Sequence, residues 1–348
     1  MNGGIKLPIA AAPYEMMMQA KEKAIPIFAS FELTPRCNFN CGMCYVHLKN
    51  SEIEKHGTEL TAEQWISLGK QASQSGSLFL CVTGGEPTMH PEFCRIYTEL
   101  SRMGFIITLQ SNLYHFSEEC FALLEKYPPK VIKFTLYGAD NETYRKVCGV
   151  QDGFTKVVEN IKKIKAIGIP LIAVTTVTKD NSDSLPKIEK LMRDENIPWT
   201  ASATLRKSIR GAETSVEKLR ISEAELCENA DKLTENNKFA SKPCEKCREY
   251  KTGFWIKWDG TMSFCSFLRE PEINAASLGF FEAWKSLVAF EEELEWPQEC
   301  KDCKWFRACP RCAATLATQS GTVNKVSKDY CQFIDSIFNK TIGGKEHG

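Results

Sequence analysis

The sequence has no excess of either charge, very little histidine and no long apolar run. Its 44 basic and 44 acidic residues cancel, so no broad field directs the chain to nucleic acid or to an anionic membrane. The longest apolar stretches, such as residues 24–33 and 169–177, are interrupted or fall well short of the ~20 residues that span a bilayer. Residues 1–12 lack the basic start and apolar stretch of a secretory signal. A cytoplasmic chain, with neither nucleic acid nor membrane as partner, is the expectation. The five histidines, His47, His56, His90, His115 and His347, never recur at a metal-ligand spacing. There is no low-complexity segment and no internal repeat beyond an alternation of strands and helices.

Against these absences stand 16 cysteines in 348 residues, too many for an ordinary cytosolic enzyme. In a reducing compartment clustered cysteines ligate metal more often than they pair with each other. They fall into three groups. Cys37, Cys41 and Cys44 lie together as C-x3-C-x2-C. Cys81, Cys94, Cys120, Cys148 and Cys227 are scattered singly and read as small buried hydrophobes. Among them Cys81 belongs to a strand, whereas Cys148 sits in a Gly-flanked loop where a redox-active thiol is the alternative. Cys244, Cys247, Cys265, Cys300, Cys303, Cys309, Cys312 and Cys331 crowd the final third.

Apolar β-prone runs at 27–33, 77–83, 105–110, 131–136, 171–177 and 199–203 alternate with helical patterns. The helices are predicted over 61–75, opened by the capping pair Thr61 and Gln64, and over 91–103, 117–127, 154–167 closed by Gly168, and 185–196. Six strands, each with a crossover, imply a parallel sheet in an open or partly closed barrel. The fold class expected is α/β, a partial six-stranded (β/α) barrel resembling part of a TIM barrel, followed by a small cysteine-rich α+β unit. A polar helix is expected over residues 222–237. After it, residues 254–258 and 261–264 read as a β-hairpin around Asp259 and Gly260, placing Cys265 at the end of its second strand. The division is then 1–24 as an N-terminal segment, 25–221 as the barrel, 222–243 as a bridge and 244–348 as the tail.

The first cysteine group follows the first strand directly and leads into Tyr45. Three thiolates on one loop can hold three irons of a 4Fe-4S cube and leave the fourth iron open, as catalysis requires. Zinc is the alternative, but it would need a fourth ligand that no histidine supplies. At the end of the second strand stands Gly84-Gly85-Glu86-Pro87. The two motifs together, in this order and each at a strand's C-terminal end, resemble the radical SAM superfamily over roughly residues 25–210. Sites of βα barrels form from the loops after the strands. The resemblance implies that S-adenosylmethionine chelates the open iron and is cleaved to a 5'-deoxyadenosyl radical that abstracts hydrogen from substrate. It places cofactor contacts at Tyr45, at Gly84, Gly85, Glu86 and Pro87, at Ser111 and Asn112, at Thr135 and at Arg145. Gly84 and Gly85 can expose backbone groups to the methionine end because no side chain intervenes. Tyr137 stands where the family's pattern often has an aspartate.

The tail, with Cys247-x12-Gly260-x4-Cys265, Cys300-x2-Cys303-x5-Cys309-x2-Cys312 and Cys331, resembles the SPASM extension of radical SAM proteins, which binds two auxiliary 4Fe-4S clusters. Cys309 and Cys312 are two residues apart where the family more often has three. By resemblance Cys244, Cys247, Cys265 and Cys312 hold one cluster and Cys300, Cys303, Cys309 and Cys331 the other, making three 4Fe-4S clusters in all. Paired C-x2-C knuckles also serve zinc ribbons, which is the alternative for the tail.

The resemblance further implies an oxidoreductase that modifies a peptide or protein side chain by oxidation or crosslinking, with the auxiliary clusters as electron acceptors and flavodoxin or ferredoxin as external donor. Only 36 residues precede Cys37, too few for a fused leader-binding module, so a separate leader-binding protein or the barrel itself would hold a leader. Sulfatase-maturing members carry an aspartate after the hairpin cysteine; Ser266 stands here, which disfavours that chemistry. A radical dehydrogenase or epimerase of a small polar molecule and a non-catalytic iron-sulfur carrier are the other readings. The run Tyr14 to Met18 and the aromatics Phe254, Trp255 and Trp258 read as packing rather than as substrate contacts.

Overall fold

The computed structural model describes residues 14–46, 48–208, 215–222, 225, 240–245, 247 and 250–343. Nine strands form one sheet: β1 (Phe28–Glu32), β2 (Phe79–Thr83), β3 (Ile106–Ser111), β4 (Val131–Thr135), β5 (Leu171–Thr176), β6 (Trp199–Ser202), β7 (Gly253–Ile256), β8 (Thr261–Ser263) and β9 (Ile273–Asn274). Their order is β6-β5-β4-β3-β2-β1-β7-β8-β9, and β1 to β6 pair in sequence, all parallel. This is the α/β partial barrel that the alternation predicts.

Period-two alternation divides each strand between two faces. Val82, Leu109, Ile132, Phe134 and Ala173 are fully buried against the helices, in one core with Trp65, Ile96, Leu100 and Ile188. Their alternates Thr83, Gln110, Lys133, Thr135, Val174 and Thr176 line an internal cleft. The helices begin and end where local chemistry dictates. Ala62–Gln74 opens with a reciprocal capping box, Gln64 N donating to Thr61 Oγ1 at 3.3 Å and Thr61 N to Gln64 Oε1 at 2.9 Å. Glu118–Lys126 is capped by Ser117, and Gly153–Ala166 is followed by Gly168 at φ +78°.

Three differences from the sequence reading have physical reasons. Cys148 ends a helix, Asn141–Cys148, rather than lying in a loop; Asp140 caps its start and Gly149, at φ +75°, its end. The hairpin turn is one residue longer than a bare Asp-Gly. Gly260 N donates to the Lys257 carbonyl at 2.8 Å and Gly260 itself sits at φ +85°, a turn closed by a left-handed glycine. The hairpin also does not stand apart. β7 pairs in parallel with β1, Phe28 opposite Gly253 through Phe31 opposite Ile256, because the outer edge of β1 needs a partner. Phe254 seals the join against Phe31, Phe280 and Trp284. The helix predicted over 222–237 falls mostly outside the described residues, as does Cys227.

Met16 and Met17, on the helix Tyr14–Glu22, pack against Ala20, Ile27 and Phe28. Phe254 and Trp258 are buried, and Trp255 Nε1 donates to Glu32 at 3.3 Å. The three aromatics pack as the sequence indicates, but of the run Tyr14 to Met18 only Met16 and Met17 do, Tyr14 and Met18 being exposed. Among the described residues no helix is long and apolar enough to cross a membrane.

Candidate functional site

The cysteine loop is clamped from both sides. Gly85 N donates to the Thr34 carbonyl and Glu86 N to the Arg36 carbonyl, each at 2.7 Å. A Cβ on Gly85 would lie 2.5 Å from the Arg36 carbonyl oxygen and 2.6 Å from that of Pro35, and one on Gly84 2.8 Å from that of Thr34. The glycines are therefore required by the close approach of the loop's own backbone. Arg36 is held in turn by Glu59, through Nε at 2.8 Å and Nη2 at 2.6 Å. Asn40 N donates to the Cys148 carbonyl at 2.8 Å.

Glu86 is a buried brace, 1% exposed. It accepts from the Ser111 hydroxyl at 3.0 Å to each oxygen, from Asn112 N at 2.7 Å and from Thr88 Oγ1 at 2.8 Å. Burial pushes its carboxyl up, while these bonds pull the other way. Asn112 then ties the end of β3 to the cysteine loop, its amide donating to Asn38 Oδ1 at 2.7 Å and lying 3.7 Å from Cys37 Sγ. Pro87 is buried and begins a short turn of helix, Pro87–Met89.

Cys37, Cys41 and Cys44 all line a cleft of about 340 Å³ at the C-terminal ends of the parallel strands. The same cleft is lined by Tyr45, Gly84, Gly85, Ser111, Asn112 and Thr135. Glu86 and Pro87 support it from behind, and Arg145 is not brought in. That arginine is exposed on its helix, 3.5 Å from Glu142. Burial pushes the Cys37 thiol well up, with the charges of Glu86, Cys41 and Cys44 adding to it. The Cys41 thiol is raised chiefly by a hydrogen bond with Cys148 and by burial, which makes Cys148 a buried neighbour of the loop rather than a loop thiol.

Several lining residues escape sequence patterns because distant segments bring them together. Lys49, Lys133 and Arg206 supply three cations, and among the described residues no Asp or Glu lines the cleft. Phe267, two residues beyond Cys265, closes one wall, its ring centroid 4.6 Å from that of Tyr45. The inward period of β4 alone would have pointed to Lys133.

The tail cysteines segregate into two sets. Cys244 is half-buried, its thiol raised by desolvation and then by the charges of Cys247, Cys312 and Cys265. The Cys300 thiol is pushed up to about 11 by burial, lowered by Arg311 and raised by Cys331, Cys309 and Cys303. Cys312 differs: burial pushes it up, but the Arg206 charge and hydrogen bonds from Thr315 outweigh burial and hold it below the ordinary thiol value. Among the described residues no three Cys, His, Asp or Glu side chains converge as a single metal ion requires.

Residues 31–192 match the radical SAM superfamily model. Over 164 residues the chain is 27% identical to sporulation killing factor maturation protein SkfB of Bacillus subtilis (strain 168), a match covering 47% of this chain and 39% of that protein, so it spans about two fifths of the curated relative. Among solved structures, Streptococcus suis SuiB superposes with a TM-score of 0.66 at 14% identity, covering 94% of this chain and 85% of that one. SuiB bound to precursor peptide SuiA gives 0.66 at 15% identity, with coverages of 93% and 82%. Native anSMEcpe with bound AdoMet and Cp18Cys peptide gives 0.59 at 16% identity, with coverages of 91% and 96%. At such identities these likenesses show the fold, and they run through the cysteine-rich tail. By this match residues 31–192 are a radical SAM domain.

Proposed function

We propose that this chain modifies a side chain of a peptide or protein by removing hydrogen and then oxidising or crosslinking the residue. The observation that carries this reading is the single cleft that collects Cys37, Cys41 and Cys44 with residues from the ends of β2 to β5 and with Phe267 from the tail. SkfB is named a maturation protein and SuiB has been solved with a precursor peptide, which supports a peptide as the substrate class here.

Cys37, Cys41 and Cys44 would hold a 4Fe-4S cluster, and Tyr45, Gly84, Gly85 and Thr135 would flank S-adenosylmethionine. When bound, the two supply a 5'-deoxyadenosyl radical able to take hydrogen from an unactivated carbon. The chain's own residues do the rest. Phe39, Val46, Leu48 and Phe267 present apolar walls that exclude water. Lys49, Lys133 and Arg206 favour carboxylates, the cofactor's own included. Asn112 fixes the Cys37 end of the loop through Asn38. Two thiol sets in the tail, Cys244 with Cys247, Cys265 and Cys312, and Cys300 with Cys303, Cys309 and Cys331, would hold two further 4Fe-4S clusters. Such clusters would accept the electron released when a substrate radical is oxidised. A flavodoxin or ferredoxin would supply the first electron, and a separate leader-binding protein can present the peptide. Ser266, 8% exposed beside Cys265, offers a hydroxyl where a carboxylate base would be needed, which argues against formylglycine formation.

Incubation of the anaerobically reconstituted enzyme with S-adenosylmethionine, a reductant and peptides encoded beside its gene should yield 5'-deoxyadenosine and a peptide lacking a pair of hydrogens. Accumulation of 5'-deoxyadenosine with every such peptide unchanged, while a small polar alcohol is oxidised, would refute it.

A further inference from the structure

Each tail thiol set has one arginine lodged beside it. Arg206, in the loop after β6, brings Nη2 to 3.9 Å from Cys312 Sγ and lies over the Phe267 ring at 4.7 Å. Its Nε is buried with no hydrogen-bond partner. Arg311 is sandwiched between Trp296, at 4.5 Å, and Phe306, at 4.3 Å, and spends Nη1 on the Phe306 carbonyl at 2.7 Å. Its Nε and Nη2 are buried and unpartnered, and the two rings that hold it pack in one cluster with Cys300 of the other set.

A buried guanidinium with idle donors is costly, because each desolvated N–H forfeits a hydrogen bond. The cost is recovered if an anionic acceptor occupies the space those donors face. A 4Fe-4S cube held by four thiolates is such an acceptor, with a net negative charge and sulfurs that take N–H hydrogen bonds. The surroundings add to this at Cys312, which stands at the N-terminus of the helix Ala313–Ser320, with the Thr315 hydroxyl 3.3 Å from its sulfur.

We propose that Arg206 and Arg311 each serve one auxiliary cluster, donating to its sulfurs and raising its reduction potential. The inference rests on the reading of the tail as a two-cluster unit. Reduction adds one electron to an already anionic group, and a nearby fixed cation stabilises that product more than the oxidised state. Each arginine thereby makes its cluster a better electron acceptor. Arg206 also lines the catalytic cleft, so the quartet containing Cys312 is the one placed to take the substrate's electron first.

The test uses the full chain with Cys37, Cys41 and Cys44 changed to Ala, reconstituted anaerobically so that only the tail is loaded. Iron and sulfide are counted, and the potentials are measured by EPR-monitored redox titration. The parent should hold about eight irons. Arg206→Gln should move one midpoint to a more negative potential and leave the other in place, and Arg311→Gln should move the other. A tenfold weakening of the reduced state reads as about 59 mV for a one-electron couple. Arg206→Lys and Arg311→Lys, which keep the charge, should restore part of each shift, and they carry the comparison if a glutamine variant loses iron. Unmoved midpoints in loaded variants would overturn the proposal and leave the two-cluster reading intact. A parent tail that takes up zinc, or no iron, would overturn both.

Discussion

Glu86 gathers Ser111, Asn112 and Thr88 onto one carboxylate out of reach of solvent, and that network fixes where the cysteine loop meets the strand ends. Glu86→Ala strands a buried hydroxyl and a buried N–H, so a loss of about 3 kcal/mol of stability is expected by chemical denaturation. It should be accompanied by poorer iron retention. Cys41 and Cys148 give a sharper contrast, since their thiols touch and only Cys41 lines the cleft. Cys41→Ala should remove about four irons per chain, whereas Cys148→Ala should retain all of them and lose only about 1 kcal/mol of packing. Equal iron loss in both variants would make Cys148 a ligand and close the open coordination position.

At the scale of elements, the turn after β2 carries a pH dependence of its own. His90 accepts from Glu92 N through Nδ1 at 3.1 Å, and its Nε2 lies 3.4 Å from the Leu60 carbonyl. That pair of contacts requires the neutral ring. Burial holds its pKa below the ordinary 6.5, against the pull of the Leu60 carbonyl. A base with a lowered folded pKa lends stability that is present above 6.5 and is lost as pH falls from there towards the folded value. Thermal unfolding of the parent should decline through that acidic window, and His90→Gln should flatten the decline; parallel curves would contradict this. The elements themselves were largely legible because their signals are local. Thr61 with Gln64, Ser117 and Gly168 all mark true helix ends. Asn141–Cys148 was missed although Asp140 and Gly149 bracket it, since eight residues span barely two apolar periods. The motif residues were legible as a site, but the reason for Gly84 and Gly85 was not: only the folded backbone shows Thr34 to Arg36 pressed against them. Arg145 failed as a cleft residue because helical phase, which sequence position alone does not fix here, turns it towards Glu142.

On the scale of the whole molecule, one sheet runs from the radical SAM strands into the tail. Because β7 covers the edge of β1 and Phe254, Phe280 and Trp284 bury the join, a fragment ending at residue 221 would expose β1 together with its apolar flank. It should aggregate on size-exclusion chromatography, while the full chain elutes as a discrete species; a well-behaved fragment would show that the barrel does not depend on the tail. Parallel pairing of β1 with β7, more than 200 residues apart, leaves no local trace, and neither does the meeting of Arg206 with Cys312. The central claim is that eleven of the cysteines are ligands of three clusters, and it is tested most directly by iron and sulfide analysis of the anaerobically reconstituted full chain. The account predicts about twelve irons and as many sulfides, falling to about eight when Cys37, Cys41 and Cys44 are replaced by Ala. About four irons in the parent, or zinc in the tail, would contradict it.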